Sequence, residues 1–68
     1  MKNIFTYKKF NVIETPVQIT FGNGDTVFLF QITDEHGNTI HRACQWGDYC
    51  YTKNKAKSII NNYINLSK

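Results

Sequence analysis

The chain has few of the features that mark membrane or secreted proteins. None of its apolar runs approaches the roughly 20 residues needed to cross a bilayer. Its first ten residues, MKNIFTYKKF, place lysines on both sides of a short mixed segment and lack the apolar core of a secretory signal peptide. We therefore expect a cytoplasmic protein, in a bacterium or an infected host cell, that has no membrane partner.

Cysteine is scarce, and its spacing favours neither a metal site nor a disulfide. The chain has four candidate zinc ligands in the pattern H-x4-H-x2-C-x5-C: His36, His41, Cys44 and Cys50. Structural zinc sites normally use closely spaced cysteine pairs, and none occurs here. On one strand His41 and Cys44 would point to opposite faces, and Cys44 and Cys50 would lie about 20 Å apart. We expect no metal, and a disulfide would need the chain to reverse around Gly47.

The sequence also lacks a catalytic pattern. A cysteine nucleophile acting with His41 would need an orienting partner and a glycine-rich oxyanion element, and the sequence offers neither. A chain of 68 residues buries only about 60% of its unfolded surface, which leaves little room for a water-excluding pocket. We therefore predict no enzymatic activity, no catalytic residues and no cofactor.

What the chain does contain is enough apolar material for one small folded domain spanning residues 1–68. Its composition is 41% hydrophobic and 15% aromatic, with a single proline, which is typical of globular rather than disordered proteins. No repeat, low-complexity segment or change in composition indicates a linker. Such a small domain has one core at most.

Two hairpins are predicted in the middle of the chain. In VQITFGNGDTVFLFQI, Asn23-Gly24 suits a two-residue type I′ turn, because both central residues must take positive φ. That register collects four apolar residues on one face: Val17, Ile19, Phe28 and Phe30. In TDEHGNTI, Asp34 and Gly37 suit a type I turn with a glycine bulge and a loop of residues 35–37. The second register adds three residues to the same face: Ile32, Ile40 and Cys44.

The ends of the chain predict a helix and a less certain strand. In residues 52–68 apolar residues recur with helical spacing at Ala56, Ile59, Ile60, Tyr63 and Ile64. Either Thr52 or Asn54 can cap this helix. Residues 1–15 fit a strand or an arm, and Pro16 places a break before the β-meander of residues 16–51. The fold class is therefore α+β: an antiparallel three- to four-stranded β-meander followed by one C-terminal α-helix packed on one sheet face, ββββα or βββα.

Charge is unevenly distributed along the chain. Residues 1–9 carry three lysines and no acid, residues 10–52 carry five acids and only Arg42, and residues 53–68 carry four lysines and no acid. Basic ends that flank an acidic middle are compatible with binding to nucleic acid or to an acidic protein surface. The same split is also ordinary for an AT-rich genome, whose codons favour lysine, asparagine and isoleucine.

The segment HRACQWGDYCY is the strongest candidate for a partner-binding region. Tryptophan, tyrosine and arginine are enriched at interface hot spots, and this segment contains the only tryptophan of the chain. Trp46 can instead close the end of the core against the helix, and both roles hold together if it is half covered. The predicted partner-binding residues are His41, Arg42, Gln45, Trp46, Tyr49 and Tyr51.

Two function classes remain. The first is a small non-enzymatic protein-binding inhibitor or regulator of phage or mobile-element type, a class suggested by size and composition, with a homodimer as a further option. The alternative is nucleic-acid binding, through the sheet face and five flanking lysines: Lys8, Lys9, Lys53, Lys55 and Lys57. The order of elements is similar to the arm-binding domains of some tyrosine recombinases, which set a sheet face into the major groove. No residue motif accompanies that similarity, and Arg42 is the only basic residue expected on the strands of the two hairpins.

Overall fold

The computed structural model describes residues 2–44 and 47–66. Within these residues, four antiparallel strands form one open sheet, in the order β1-β2-β3-β4, and a single helix follows them. The elements are β1 Lys2–Tyr7, β2 Phe10–Thr20, β3 Thr26–Thr33, β4 Thr39–His41 and α1 Lys53–Leu66. The predicted α+β class is confirmed in its ββββα form. No helix in the described part of the chain is long and apolar enough to cross a membrane.

A tight turn of two lysines joins β1 to β2. Tyr7 pairs with Phe10, and the intervening Lys8 and Lys9 have φ values of 50° and 70°. Two consecutive residues in the left-handed region are typical of a type I′ turn, which usually contains asparagine and glycine. Lysine is sterically unfavourable in the left-handed region. This is why the sequence of residues 1–15 did not mark a hairpin, although these residues form β1 and the first part of β2.

The turn between β2 and β3 differs from the predicted one by a residue. The Phe21 amide donates to the Asp25 carbonyl at 2.8 Å, and the Gly24 amide donates to the Phe21 carbonyl at 2.9 Å. The loop therefore has three residues, 22–24, and Gly24 at φ 95° occupies the left-handed position of a glycine bulge. The prediction of a two-residue loop was wrong. Because of the extra residue, Phe28 pairs with Gln18 and not with Ile19.

Pro16 lies in an irregularity of β2. Glu14 pairs with Phe30 and Gln18 pairs with Phe28, so three residues of β2 oppose the single Leu29. Proline has no amide hydrogen for the ladder, and such bulges are where strands tolerate it. The Thr15 hydroxyl donates to the Leu29 carbonyl at 2.8 Å. A side chain therefore supplies a hydrogen bond where the regular backbone ladder is interrupted.

The shifted register changes which residues form the core. The buried cluster consists of Val12, Phe30, Ile32, Cys50, Ala56 and Ile60. Of the predicted face, Phe30 and Ile32 belong to this cluster, but Val17 is 38% exposed and Phe28 is 43% exposed. The prediction was wrong for those two residues because the loop and the irregularity at Pro16 move them away from the part of the sheet that the helix covers.

The second hairpin has the predicted turn. The Asp34 amide donates to the Asn38 carbonyl at 2.8 Å, the Gly37 amide donates to the Asp34 carbonyl at 3.1 Å, and Gly37 has φ 85°. The Asp34 carboxylate also accepts bonds from the His36 and Asn38 amides, and these bonds, that of Asn38 first, lower the pKa of Asp34. The loop of residues 35–37 is therefore confirmed.

Beyond this turn, the predicted pairing of β3 with β4 holds for only one residue pair. Thr33 pairs with Thr39, but Ile32 then pairs with His41 rather than with Ile40. Strand β4 ends at His41, and Cys44 lies on the surface, so the prediction that Cys44 belongs to the apolar face was wrong. The Phe30 amide donates to the Cys50 carbonyl at 2.7 Å. The chain thus returns to the edge of β3 after a loop.

The helix begins one residue later than predicted, and its described part ends at Leu66. Thr52 is the cap, because its hydroxyl oxygen accepts a bond from the Lys55 amide at 3.1 Å. Ala56 and Ile60 are completely buried against the sheet. Tyr63, predicted on the buried face, stays partly exposed and meets Phe10 edge to face, with ring centroids 5.7 Å apart.

Candidate partner-binding site

The predicted partner-binding region is a loop that is attached at both ends. It leaves β4 after His41 and returns where Cys50 bonds to Phe30. We call residues 42–52 the return loop. Gln45 and Trp46, two of the predicted contact residues, lie outside the described residues. Among the described residues, pairing with β3 stops at His41, so the β4 pairing does not continue into residues 42–44 or 47–51.

His41 anchors the beginning of the return loop from inside the molecule. Its side chain is only 2% exposed, so in this conformation it cannot contact a partner on the surface. Burial lowers the pKa of His41, while the carboxylate and the backbone of Asp48 oppose that shift. The backbone hydrogen bond raises the pKa, so it favours the protonated ring. In such a bond a ring N–H donates to the Asp48 carbonyl oxygen. The other ring nitrogen, Nε2, is buried and has no hydrogen-bond partner.

An ion pair attaches the middle of the return loop to the helix. The Lys55 Nζ lies 2.8 Å from an Asp48 carboxylate oxygen. This contact is the main reason that the pKa of Asp48 is lowered and that of Lys55 is raised. Lys55 was predicted to contact nucleic acid, but in the structure its ammonium group forms an ion pair with Asp48 of the same chain. Sequence reasoning did not single out Asp48, and its seven-residue distance from Lys55 gave no local signal.

Three of the predicted contact residues present surface on the return loop. Arg42 and Tyr51 are exposed, and Tyr49 is half-buried. The ring of Tyr51 meets that of Phe21 edge to face, with centroids 5.3 Å apart, which connects the return loop to the end of the β2–β3 hairpin. An aromatic side chain held by another ring loses little conformational entropy when it binds.

Among the recesses formed by the described residues, two include Asp48 in their lining. The larger has a volume of about 370 Å³ and is lined by Gly47, Asp48, Tyr49, Tyr51, Thr52 and Lys55. The smaller has a volume of about 200 Å³ and is lined by Ile40, His41, Asp48, Ile59, Asn62, Tyr63 and Leu66. The structure thus brings part of the predicted region together with a helix surface that the sequence analysis did not assign to the site.

The two cysteines are free and lie in different environments. Cys44 is exposed and Cys50 is buried. Burial raises the pKa of the Cys50 thiol to about 11, so the thiol is neutral near pH 7 and a poor nucleophile. Its sulfur lies 3.8 Å from the Thr52 carbonyl oxygen. Among the described residues, no group of three histidine, cysteine, aspartate or glutamate side chains is placed to hold a metal ion.

A second cluster, which we call the lysine cluster, forms where the β1–β2 turn meets the helix. It contains Lys8, Lys9 and Lys57, all exposed. The ammonium groups of Lys8 and Lys57 lie 5.3 Å and 5.6 Å from the centroid of the Tyr7 ring. The Asn61 carbonyl oxygen accepts bonds from Lys8 Nζ at 2.7 Å and from the Tyr7 hydroxyl at 3.4 Å.

The lysine cluster includes three of the five predicted nucleic-acid contacts. Lys53 is exposed at the first position of α1, and Lys55 belongs to the Asp48 ion pair. Sequence reasoning identified the lysines but missed Tyr7 and Asn61. These residues are 54 positions apart, and only the packing of the helix against β1 brings them together.

Comparison with known proteins does not assign the chain to a family. No protein-family model, curated protein or solved structure matches it.

Proposed function

We propose that the chain is a small non-enzymatic protein that binds another protein through the return loop and acts as an inhibitor or regulator. The observation that carries this proposal is the return loop itself, which is held at His41, Asp48 and Cys50, exposes Arg42, and contributes Tyr51 to the lining of a recess of about 370 Å³. Gln45 and Trp46 belong to the proposed surface by their position in the sequence. A phage or mobile-element origin and a cytoplasmic setting are part of the proposal.

Preorganisation of the return loop supports binding. A loop that must be ordered on association loses affinity through conformational entropy, whereas a loop already attached to the fold loses less. The anchors of this loop are a buried imidazole, an ion pair of 2.8 Å and a backbone bond of 2.7 Å. The exposed Arg42 and Tyr51 of this anchored loop are of residue types that are frequent at interface hot spots.

The chemistry of the return loop favours binding over catalysis. The Cys50 thiol is buried, with a pKa of about 11. The His41 ring is buried, so it has no access to a substrate at the surface. Neither side chain is placed to act as an exposed nucleophile or base. In the proposed cytoplasmic setting both cysteines stay reduced.

If the proposal is correct, substitutions in the return loop weaken binding of the partner protein. The full chain is immobilised, and proteins captured from candidate host cells are quantified by mass spectrometry. We expect the Arg42→Glu/Tyr51→Ala variant to capture a specific partner at least about tenfold less well, because hot-spot residues each contribute more than about 1.4 kcal/mol. Purified partner should then bind the wild type in a defined stoichiometry.

The matched control is Glu35→Lys/His36→Ala, which reverses one charge and removes one ring in the exposed β3–β4 turn. It should capture the partner as the wild type does. Thermal melts of all three proteins show that each is folded. Equal recovery of the partner by the wild type and by the return-loop variant would refute the proposed surface. Self-association remains a prediction, and sedimentation of the wild type measures it directly.

The lysine cluster favours nucleic acid as a second candidate partner. The ammonium groups of Lys8 and Lys57 converge on the Tyr7 ring from two elements distant in sequence. The acidic side chain nearest in sequence to Lys8 or Lys9 is Glu14. Convergent lysines attract phosphates without regard to base sequence. If nucleic acid is the partner, we expect salt-dependent binding to its phosphate backbone rather than sequence-specific recognition through the sheet face.

Titration with duplex and single-stranded DNA at two salt concentrations tests this candidate. If the three lysines each neutralise one phosphate, raising the salt from about 50 to about 200 mM should weaken duplex binding by about 40-fold. Lys57→Gln should lower the slope of log affinity against log salt by about 0.9. Absence of binding at the lower salt concentration, or a slope that Lys57→Gln leaves unchanged, would remove nucleic acid as a candidate.

A further inference from the structure

His41 lies at the junction between the sheet and the return loop. It is the last residue of β4, where it pairs with Ile32 of β3, and the return loop begins with the exposed Arg42. The His41 side chain is only 2% exposed, so the loop leaves the sheet from a buried ring. A change in the protonation of this ring therefore acts at the first attachment point of the loop.

The ring of His41 is held in the fold in its neutral form. Because Nε2 is buried without a hydrogen-bond partner, the ring N–H that donates to the Asp48 backbone is on Nδ1, and Nε2 carries a lone pair. A proton added to Nε2 would place both a positive charge and an unsatisfied N–H donor inside the protein. Each of these is costly in a buried position.

The charged groups around the ring do not offset this cost. Asp48, on the return loop, favours the protonated ring through its carboxylate and its backbone, whereas Lys55 of α1 disfavours it. The Asp48 carboxylate is paired with Lys55 at 2.8 Å, so the effects of the two charges on the ring oppose each other. Strand β3 presents the uncharged Ile32, and α1 adds Tyr63, which lines the same recess as the ring. Burial therefore dominates and lowers the pKa of His41.

We propose that protonation of His41 releases the return loop, so that the chain presents its ordered partner-binding surface at neutral pH and loses that order in mild acid. The open loop binds the proton more tightly than the closed loop, because water solvates the imidazolium once the ring is exposed. This regulation rests on the proposed function, whereas the opening of the loop is a property of the chain alone.

The direction of the pH dependence follows from the lowered pKa of His41. Above the ordinary histidine pKa of about 6.5 the ring is neutral in both states, and its contribution to the closed loop is fully present. As the pH falls from there towards the lowered pKa of the buried ring, the open loop takes up a proton that the closed loop does not, and the contribution is lost.

Hydrogen exchange of the Phe30 amide, followed by NMR and corrected for the intrinsic pH dependence of exchange, measures the opening. This amide donates to the Cys50 carbonyl near the C-terminal end of the return loop, so it exchanges when the loop leaves the sheet. Between about pH 7 and about pH 5 its protection factor should fall at least about threefold, with about tenfold per pH unit as the limit for uptake of one proton. Amides of the β1–β2 pairing, on the other side of β3, should keep their protection.

Two variants test the assignment to His41. His41→Asn does not titrate but keeps an N–H that can donate to the Asp48 carbonyl, so the protection of Phe30 should no longer depend on pH in this range. The matched control is His36→Asn, which replaces the other histidine of the chain, exposed in the β3–β4 turn, and should behave as the wild type. If His41→Asn does not fold, the ring resonances of His41 in the wild type provide the test, since they must titrate below about pH 6.5.

Four results would overturn the inference: a Phe30 protection factor that does not change with pH, the same pH dependence in His41→Asn, a His41 ring that titrates at or above the ordinary value, or an equal loss of protection in the β1–β2 amides. The last result would mean that the whole domain unfolds. Failure of the proposed function gives a different outcome, in which partner capture at neutral pH does not depend on Arg42 and Tyr51 while the loop still opens in acid.

Discussion

Replacing Ile60 with alanine is expected to lower the free energy of unfolding by about 2–5 kcal/mol, the usual cost of removing a buried isoleucine side chain. Ile60 is completely buried in the main core cluster, together with Val12 and Ile32 from the sheet. The core of a domain this small rarely supplies more than about 3–5 kcal/mol in total. The variant should therefore be largely unfolded near 37 °C.

Urea unfolding followed by far-ultraviolet circular dichroism measures this effect. Leu66→Ala is the matched control, because it removes an aliphatic side chain from the same helix at a position that is 87% exposed. Its unfolding free energy should stay within about 0.5 kcal/mol of the wild type. A cost below about 1 kcal/mol for Ile60→Ala would mean that the helix does not pack on the sheet through this residue.

Replacing Lys8-Lys9 with Asn-Gly is expected to raise the free energy of unfolding by about 1–3 kcal/mol. Both lysines have positive φ, where a residue with a Cβ atom costs roughly 1–2 kcal/mol. Asparagine and glycine are the preferred pair for this type of turn. Loss of the bond from Lys8 to Asn61 offsets part of the gain, because it removes one link between the turn and the helix.

The control Lys8→Gln/Lys9→Gln removes the same two charges but keeps Cβ atoms at both strained positions, so it should give no comparable stabilisation. If the lysine cluster binds DNA, both double variants should bind it more weakly and to a similar extent. Weaker binding by the stabilised Asn-Gly variant could not be attributed to unfolding. Equal stability of the two variants would contradict the strain that the backbone angles indicate.

The strained turn also suggests why lysines occupy it. Residues in sparsely populated backbone regions persist where the surrounding fold holds them, and they cluster at functional sites. Here Lys8 is held by Asn61, and its ammonium group shares the ring of Tyr7 with that of Lys57. An Asn-Gly turn would fold more readily but would present no charge at this corner. The arrangement is consistent with the second candidate function, in which stability is traded for a basic surface.

The amino-acid sequence by itself determined the class of fold, the turn of the second hairpin and the helix. Periodicity identified Ala56 and Ile60 as the buried side of α1, and Asp34 with Gly37 specified the β3–β4 turn down to its loop residues. These features depend on contacts between residues close together in the chain. Their physical causes, helical spacing and the positive φ of glycine, are therefore visible without coordinates.

Only the tertiary structure decided the register of β2 against β3, the burial of His41 and the composition of the two surface sites. Gly22, Asn23 and Gly24 permit either a two-residue or a three-residue loop, and pairing along the whole of β2 selects the latter. Likewise, Asp48 meets Lys55, and Tyr7 meets Asn61, only after the helix has packed on the sheet. Such contacts join segments whose local sequences carry no information about one another, which is why the candidate sites were predicted only in part.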